Sequence, residues 1–165
     1  MGVVTSFYRL SEVSFRQLEA NPELMDWLLG CSEAIPGNDD KTFFCNGIAP
    51  PELNIEQAWD EILIILCRTE NKRAYQSLGI PLWEDFDGFE EIRLFSPAQV
   101  RGGAEILKDL EIEKVRAEAL RRGLQTYSGE PLEDLLDDAL GHLETLVKFW
   151  RETAEAGEAI VSSTG

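Results

Sequence analysis

Basic residues are scarce in this chain of 165 residues, in which 15 Lys and Arg stand against 31 Asp and Glu, a formal net charge of −16. Nucleic-acid binding needs basic side chains that neutralise phosphates, so the composition argues against a nucleic-acid partner. An anionic membrane surface is disfavoured for the same reason. The excess acids are typical of a solvated, solubilising surface, and the alternative is a surface that attracts a basic protein partner.

Residues that bind metals or act as nucleophiles are also few. The three cysteines form no Cys-x-x-Cys motif, and their odd number favours reduced thiols in a cytoplasmic protein. His142 is the only histidine, so a zinc site or a Ser-His-Asp triad would depend on that one residue. The glycine pair in "VRGGAE" lacks the spacing of a phosphate-binding loop. We therefore predict no cofactor and no metal ion.

Long apolar runs are missing as well. The longest run, "ILIILC", has six residues, which is far too short to cross a membrane. The N-terminus lacks a basic region followed by an apolar core, so no secretory signal is recognised. These features predict a soluble protein of the cytoplasm that has no membrane partner.

Strand and helix patterns alternate along the chain and predict its fold class. "GVVTSFYRL" at the start, "EEIRLFS" in the middle and "EAIVSS" near the end are typical of strands, and "TFFCN" predicts a further short strand. Ser11 and Ser96 are candidate N-caps, and Gly102 with Gly103 either permits close packing or breaks a helix. We predict one α+β domain over residues 1–165, in which several helices pack on a small sheet that includes both terminal strands.

Two helices are expected to form the centre of that domain. "NIEQAWDEILIILCR" has Asn54 as a candidate N-cap and is apolar on most sides, so it should be covered on most sides. The last helix, from Pro131 to about Ala156, repeats its apolar residues at intervals of three and four. Trp59 and Trp150 lie on the apolar faces of these helices and are interpreted as core anchors.

The stretch "GIPLWEDFDGFEEIRLFSP" crowds acidic and aromatic residues and is the best candidate for a local binding site. Its centre resembles the start of a calcium-binding loop, but Trp83 and Leu94 occupy positions where that loop needs acids. The interpretation favoured here is a surface loop in which Trp83 and Phe86 pack inward while Asp85 and Asp87 stay solvated. Candidate binding residues are Trp59, Asp60, Trp83, Asp85 and Asp87.

Four segments, taken in order, carry a resemblance to a known family. They are "MGVVTSFYRLS", "NIEQAWDEILIIL", "GFEEIRLFSPAQV" and "LETLVKFWRETAEAGEAIVSS". The chain resembles the YfbM-like family of small bacterial proteins, a domain of unknown function. That resemblance implies a soluble bacterial protein with a single α+β domain, and it implies no activity. Ala58, Trp59 and Asp60 fit the family pattern, whereas Leu63 replaces a histidine, so any role of that histidine is not expected here.

Two functional hypotheses remain. The first is a non-enzymatic, acidic module that binds a basic protein, for example as an accessory or immunity-like protein. It follows from the net charge of −16 and from the scarcity of catalytic residue types. The second is a small hydrolase that uses carboxylates in a pocket near Trp59, Asp60 and the loop at 83–91. The first is favoured.

Overall fold

The computed structural model describes residues 4–30, 44–55, 58–78 and 91–165. Its strands are β1 (Thr5–Leu10), β2 (Glu52–Asn54), β3 (Glu91–Phe95) and β4 (Ala159–Thr164). Its helices are α1 (Glu12–Ala20), α2 (Leu24–Leu28), α3 (Ala58–Arg68), α4 (Lys72–Ser77), α5 (Pro97–Leu107), α6 (Ile112–Arg122) and α7 (Leu136–Glu155). Two 3-10 turns cover Phe44–Gly47 and Leu132–Leu135.

The four strands form one antiparallel sheet in the order β2-β1-β4-β3. The two terminal strands lie side by side in its centre, where Thr5 pairs with Thr164 and Leu10 pairs with Ala159. The predicted α+β class and the inclusion of both terminal strands in the sheet are therefore confirmed. Because β1 and β4 pair directly, the centre of the sheet forms only when residues near both ends of the described chain have come together.

Each face of the sheet carries its own apolar core. Phe7, Ile160 and Phe95 contribute to the larger core, which includes buried side chains of α3, α5, α6 and α7. Leu10 and Val161 contribute to a smaller core formed with α1, α2 and the first 3-10 turn. Strand residues alternate between the two faces, as the pleat requires, so a single sheet supports both cores.

Helices α3 and α7 pack against each other within the larger core. Every residue from Ile62 to Leu66 is buried, which confirms the expectation that a helix apolar on most sides is covered on most sides. Trp150 of α7 is fully buried and contacts Phe7 and Phe95 edge to face, with ring centroids 5.5 Å and 5.3 Å apart. The role of Trp150 as a core anchor is confirmed.

Local signals at helix starts are confirmed. The Ser96 hydroxyl accepts a hydrogen bond from the Gln99 backbone N–H at 3.2 Å, and the Ser96 N–H donates to the Gln99 side chain at 2.9 Å. This capping box places Pro97 in the first turn of α5, where its missing N–H has no cost. Ser11 caps α1 by accepting from the N–H of Ser14 at 3.1 Å.

Three details of the sequence prediction are wrong. Asn54 is not an N-cap but the end of β2, where it pairs with Ser6, and the following helix begins at Ala58. The predicted strand "TFFCN" contains a 3-10 turn from Phe44, in which Cys45 and Asn46 have φ of 53° and 55°, outside the range of a strand. Residues 42 and 43 lie outside the described ranges. The start of the last helix, Leu132–Leu135, is a 3-10 turn.

Within the described ranges, no helix combines the length and the apolar character that crossing a bilayer would demand.

Candidate functional site

Carboxylates from α3 and α7 come together where these two helices begin. The first turn of α3 carries Asp60 and Glu61, and the first turn of α7 carries Asp137 and Asp138. Helices α3 and α7 pack against each other, and the negative charges of Asp60 and Asp138 both act on the Glu61 carboxyl, so acids of the two helix starts are near one another. We call this group the acidic end, and with the preceding 3-10 turn it comprises Asp60, Glu61, Glu133, Asp134, Asp137 and Asp138.

Two carboxyls of the acidic end are partly removed from water. Burial raises the pKa of Asp60 above its usual range. Burial also raises the pKa of Glu61, and the nearby charges of Asp60 and Asp138 raise it further, although a hydrogen bond with its own backbone opposes them. The Oε2 atom of Glu61 is buried and has no hydrogen-bond partner among the described residues. The ionised form of Glu61 is therefore destabilised by its surroundings.

Among the described residues, one arginine lies close enough to pair with the acidic end. Arg116 of α6 forms ion pairs with Asp137 and, at 3.3 Å, with Glu113. His142 Nε2 lies 3.7 Å from Asp138 Oδ2. The other four carboxyls of the acidic end form no ion pair with a lysine or arginine in the part of the chain that the structure describes. They are Asp60, Glu61, Glu133 and Asp134.

Tyr127, in the turn between α6 and α7, lies beside Asp60. Burial and then the negative charge of Asp60 raise the pKa of the Tyr127 phenol to about 12. The charge of Arg68 on α3 acts in the opposite direction. Since 59% of Tyr127 remains exposed, the ring forms part of the surface next to the acidic end. A phenol beside a carboxyl can donate a hydrogen bond to an incoming group or to the carboxylate.

Of the five sequence-predicted site residues, the structure describes two, Asp60 and Trp59. Asp60 lies half-buried in the acidic end, close to Glu61 and Tyr127. Trp59 is only 7% exposed and packs edge to face on Phe7 at 5.4 Å, which confirms its role as a core anchor and leaves little of its ring for a partner. Its binding role stays a prediction. Trp83, Asp85 and Asp87 lie outside the described residues, so their roles also stay predictions.

Sequence reasoning identified Asp60 as a site residue, but not the other five carboxyls of the acidic end, nor Tyr127. A signal existed for Glu61 and Asp138, because each stands in the first turn of a helix with a buried face and the two helices were expected to pack. Tyr127 had no such signal, since its position beside Asp60 depends on the path of the turn between α6 and α7.

Metal-ligating side chains do not converge in the described ranges, where no group of three or more His, Cys, Asp or Glu is placed to hold an ion. Cavities of about 200, 540 and 470 Å³ lie between other elements of the described ranges. The first lies between the end of α6 and the start of α7, whereas the other two flank Glu70, Asn71 and Asp109. Asp60 and Trp59 line none of these three.

A model of the family described as domain of unknown function (DUF1877) matches residues 1–163 of the chain. The chain belongs to this family. The match confirms the resemblance that the four sequence segments carry, and it extends from before β1 into β4. No curated protein matches the chain.

A solved structure has a similar fold. The chain is similar to the crystal structure of YfbM from Escherichia coli, a protein of unknown function, with a TM-score of 0.62 over 98% of this chain and 99% of that one. The two sequences are 18% identical, so the likeness establishes the shared fold and nothing about the acidic end.

Proposed function

We propose that this protein is a non-enzymatic binding module, of an accessory or immunity-like kind, whose acidic surface recognises a basic protein. The observation that carries the proposal is the acidic end, where carboxylates of two packed helices meet and four of six have no ion pair among the described residues. A basic side chain arriving there would supply the missing positive charge.

Electrostatics favours such a partner for two reasons. A net charge of −16 creates a long-range field that steers cationic molecules toward the surface. At short range, burial and then repulsion from Asp60 and Asp138 raise the pKa of Glu61, and a lysine or arginine placed beside it would relieve that repulsion. The first effect increases the association rate, and the second gives the acidic end a preference over other acidic parts of the surface.

The same proposal includes the setting of the protein. The family resemblance implies a bacterial source, and the odd number of cysteines without a paired motif suits a reducing cytoplasm. The acidic charge disfavours nucleic acid and anionic membrane as partners. We therefore propose that the chain works in the bacterial cytoplasm and that its basic partner is a protein of the same compartment.

The experiment compares capture of bacterial proteins by three forms of the chain. The acidic-end variant carries Glu61→Gln, Asp134→Asn and Asp138→Asn. The control carries Glu19→Gln, Asp26→Asn and Asp109→Asn, which remove the same charge from exposed sites elsewhere. We expect a basic protein that the wild type and control retain and the acidic-end variant loses.

The captured protein is then purified and its affinity is measured between about 50 and 500 mM salt, a range over which screening becomes strong. We expect the affinity to fall steeply with salt. Equal retention by the acidic-end variant, or an affinity that salt leaves unchanged, would overturn the proposal.

A small hydrolase remains the second candidate, and one observation favours it. Burial raises the pKa of Asp60, and the Tyr127 phenol lies beside it, so a proton donor and a carboxyl share one surface site. The test measures hydrolysis of chromogenic esters, phosphates and glycosides by the purified wild type and by Asp60→Asn. Activity that Asp60→Asn abolishes would favour this candidate over the binding module.

A further inference from the structure

An apolar cleft opens next to the acidic end, between the last turn of α6 and the start of α7. Its volume is about 200 Å³, and apolar side chains form most of its wall. Leu132 and Leu136 form a buried floor, whereas Leu120 at the mouth is 46% exposed. Leu124 and Pro131 complete the apolar lining. The surface therefore has a recess that could remove an apolar side chain from water.

The turn that shapes the cleft is held by backbone hydrogen bonds. The Thr126 N–H donates to the Glu130 carbonyl at 2.8 Å, and the Leu132 N–H donates to the Leu124 carbonyl at 2.9 Å. A bridge between Gln125 and Pro131 lies between these contacts. Because these bonds tie both sides of the turn together, the cleft is already formed in the free protein, which lowers the cost of binding.

Acids without ion pairs surround the cleft. Glu133 lines it, and Glu130 and Asp134 are exposed beside its wall; none of the three forms an ion pair within the described ranges. The arginines at the end of α6 do not neutralise them, since Arg121 pairs with Glu118 at 2.7 Å and Arg122 pairs with Glu118 and Glu70. The rim is therefore negative around an apolar centre.

From this combination we infer that the cleft is the anchoring site for the basic partner, and that it takes one phenylalanine or leucine side chain flanked in the partner by lysine or arginine. The inference rests on the proposed function, because it names the feature by which the partner is recognised. The apolar recess would bury the anchoring side chain, and the acidic rim would complement the charge of its basic neighbours. An apolar centre with a polar rim is common in protein interfaces.

The size of the cleft fixes the kind of anchor. Drug-sized ligands occupy pockets of about 300–1,000 Å³, whereas an apolar cavity of about 150 Å³ can hold a benzene ring. A cleft of about 200 Å³ is thus suited to one ring or one branched aliphatic side chain rather than to a whole cofactor.

The test uses two synthetic peptides, Lys-Lys-Phe-Lys-Lys and Lys-Lys-Ser-Lys-Lys, which have equal charge and differ in the central side chain, a phenyl ring in one and a hydroxyl in the other. Binding to the unaltered chain is followed by amide chemical shifts in NMR. We expect the phenylalanine peptide to bind at least about fivefold more tightly and to shift residues 120–124 and 132–136. Equal affinities, or shifts confined to other parts of the chain, would overturn the inference.

Variants separate the apolar and charged contributions. Leu120→Ala should reduce the preference for phenylalanine about threefold, whereas Leu94→Ala, a control with 39% exposure on β3, should leave it unchanged. The triple variant Glu130→Gln, Glu133→Gln, Asp134→Asn should bind both peptides more weakly, and by the same factor. Its matched control is the triple variant Glu19→Gln, Glu23→Gln, Asp26→Asn, which removes the same charge elsewhere. The comparison of the two peptides needs only the unaltered chain, so it tests the inference even if Leu120→Ala fails to fold.

Failure of the inference and failure of the proposed function give different results. If only the cleft is wrong, the captured protein still binds in a manner that depends on salt and the acidic end, while both peptides bind equally. If the proposed function is wrong, no such basic protein is captured, whatever the peptides show.

Discussion

Gly103 of α5 lies directly against the indole ring of Trp150 in α7. A Cβ atom placed on Gly103 would lie 2.8 Å from Trp150 Nε1 and 3.2 Å from Cδ1. The neighbouring Gly102 has no such contact, because nothing lies within 4 Å of a Cβ placed there. Of the glycine pair in the sequence, one therefore permits close packing of two helices and the other does not.

Substitution of the two glycines by alanine should change stability in opposite directions. In Gly103→Ala, the methyl group would push against a fully buried ring, and such overpacking costs about 1–3 kcal/mol. Alanine regains about 1 kcal/mol of helix propensity, so we expect a net loss of roughly 1 kcal/mol. Gly102→Ala gains propensity without the clash and should stabilise by about 1 kcal/mol. Urea titration of both variants measures the difference, and similar midpoints would contradict the observed packing.

Trp59 is expected to stabilise the contact between α3 and the sheet. Its ring packs edge to face on Phe7, and only 7% of the side chain is exposed. Trp59→Ala should lower the free energy of unfolding by about 3–5 kcal/mol, because it leaves a cavity in the larger core. Trp59→Phe, which keeps an aromatic ring, should cost clearly less. A loss below about 1 kcal/mol for the alanine variant in a denaturant titration would place Trp59 outside the core.

Local signals explain why so much of the fold could be predicted from the sequence. The capping box at Ser96 and the apolar repeat of α7 depend on residues a few positions apart, and both are present as expected. No local sequence signal predicts β2, because its three residues form a strand through their pairing with β1, which is distant in sequence. Asn54 was misassigned for that reason, since an asparagine before an apolar run is also typical of a helix start.

The candidate site was predictable only in part. Asp60 was identified from its position beside Trp59, but its neighbours come from elements distant in sequence. Asp138 reaches Glu61 because α3 and α7 pack with their starts together, and Tyr127 reaches Asp60 through the turn after α6. Periodicity predicts which face of a helix is buried, but it does not predict how two helices are aligned along their lengths.

Glu118 of α6 should titrate at an unusually low pH. Its carboxylate accepts hydrogen bonds from Arg121 and Arg122, and these lower its pKa to about 2. Because its folded pKa lies below the ordinary value of 4.5, the pairing stabilises the fold above that value and is lost as the pH falls toward 2. Carboxyl NMR titration measures this shift directly.

Two controls test the cause of the Glu118 shift. Removing both partners with Arg121→Gln and Arg122→Gln should return its pKa toward the ordinary value, whereas Arg101→Gln on α5 should not affect it. Because these groups are exposed, salt should also reduce the shift. A titration near 4.5 in the unaltered protein at low salt would show that the pairs do not persist in solution.

Glu61 should make the protein less stable at neutral pH than its amide variant. Burial and the charges of Asp60 and Asp138 raise the folded pKa of Glu61 above its ordinary value of 4.5. The folded state therefore holds its proton to a higher pH than the unfolded chain, and stability falls as the pH rises through that interval. Glu61→Gln removes this penalty, and because the side chain is only half-buried we expect a gain of about 0.5 kcal/mol at neutral pH.

The pH dependence distinguishes this cause from a general change in packing. Well below pH 4.5 the carboxyl is protonated in both states, so the advantage of Glu61→Gln should shrink as the pH falls through 4.5 and disappear in stronger acid. Glu19→Gln, at an exposed position on α1, is the matched control and should show no comparable dependence. An advantage that persisted unchanged in acid would mean that the amide improves packing instead, and that repulsion at the acidic end is too weak to favour a basic partner there.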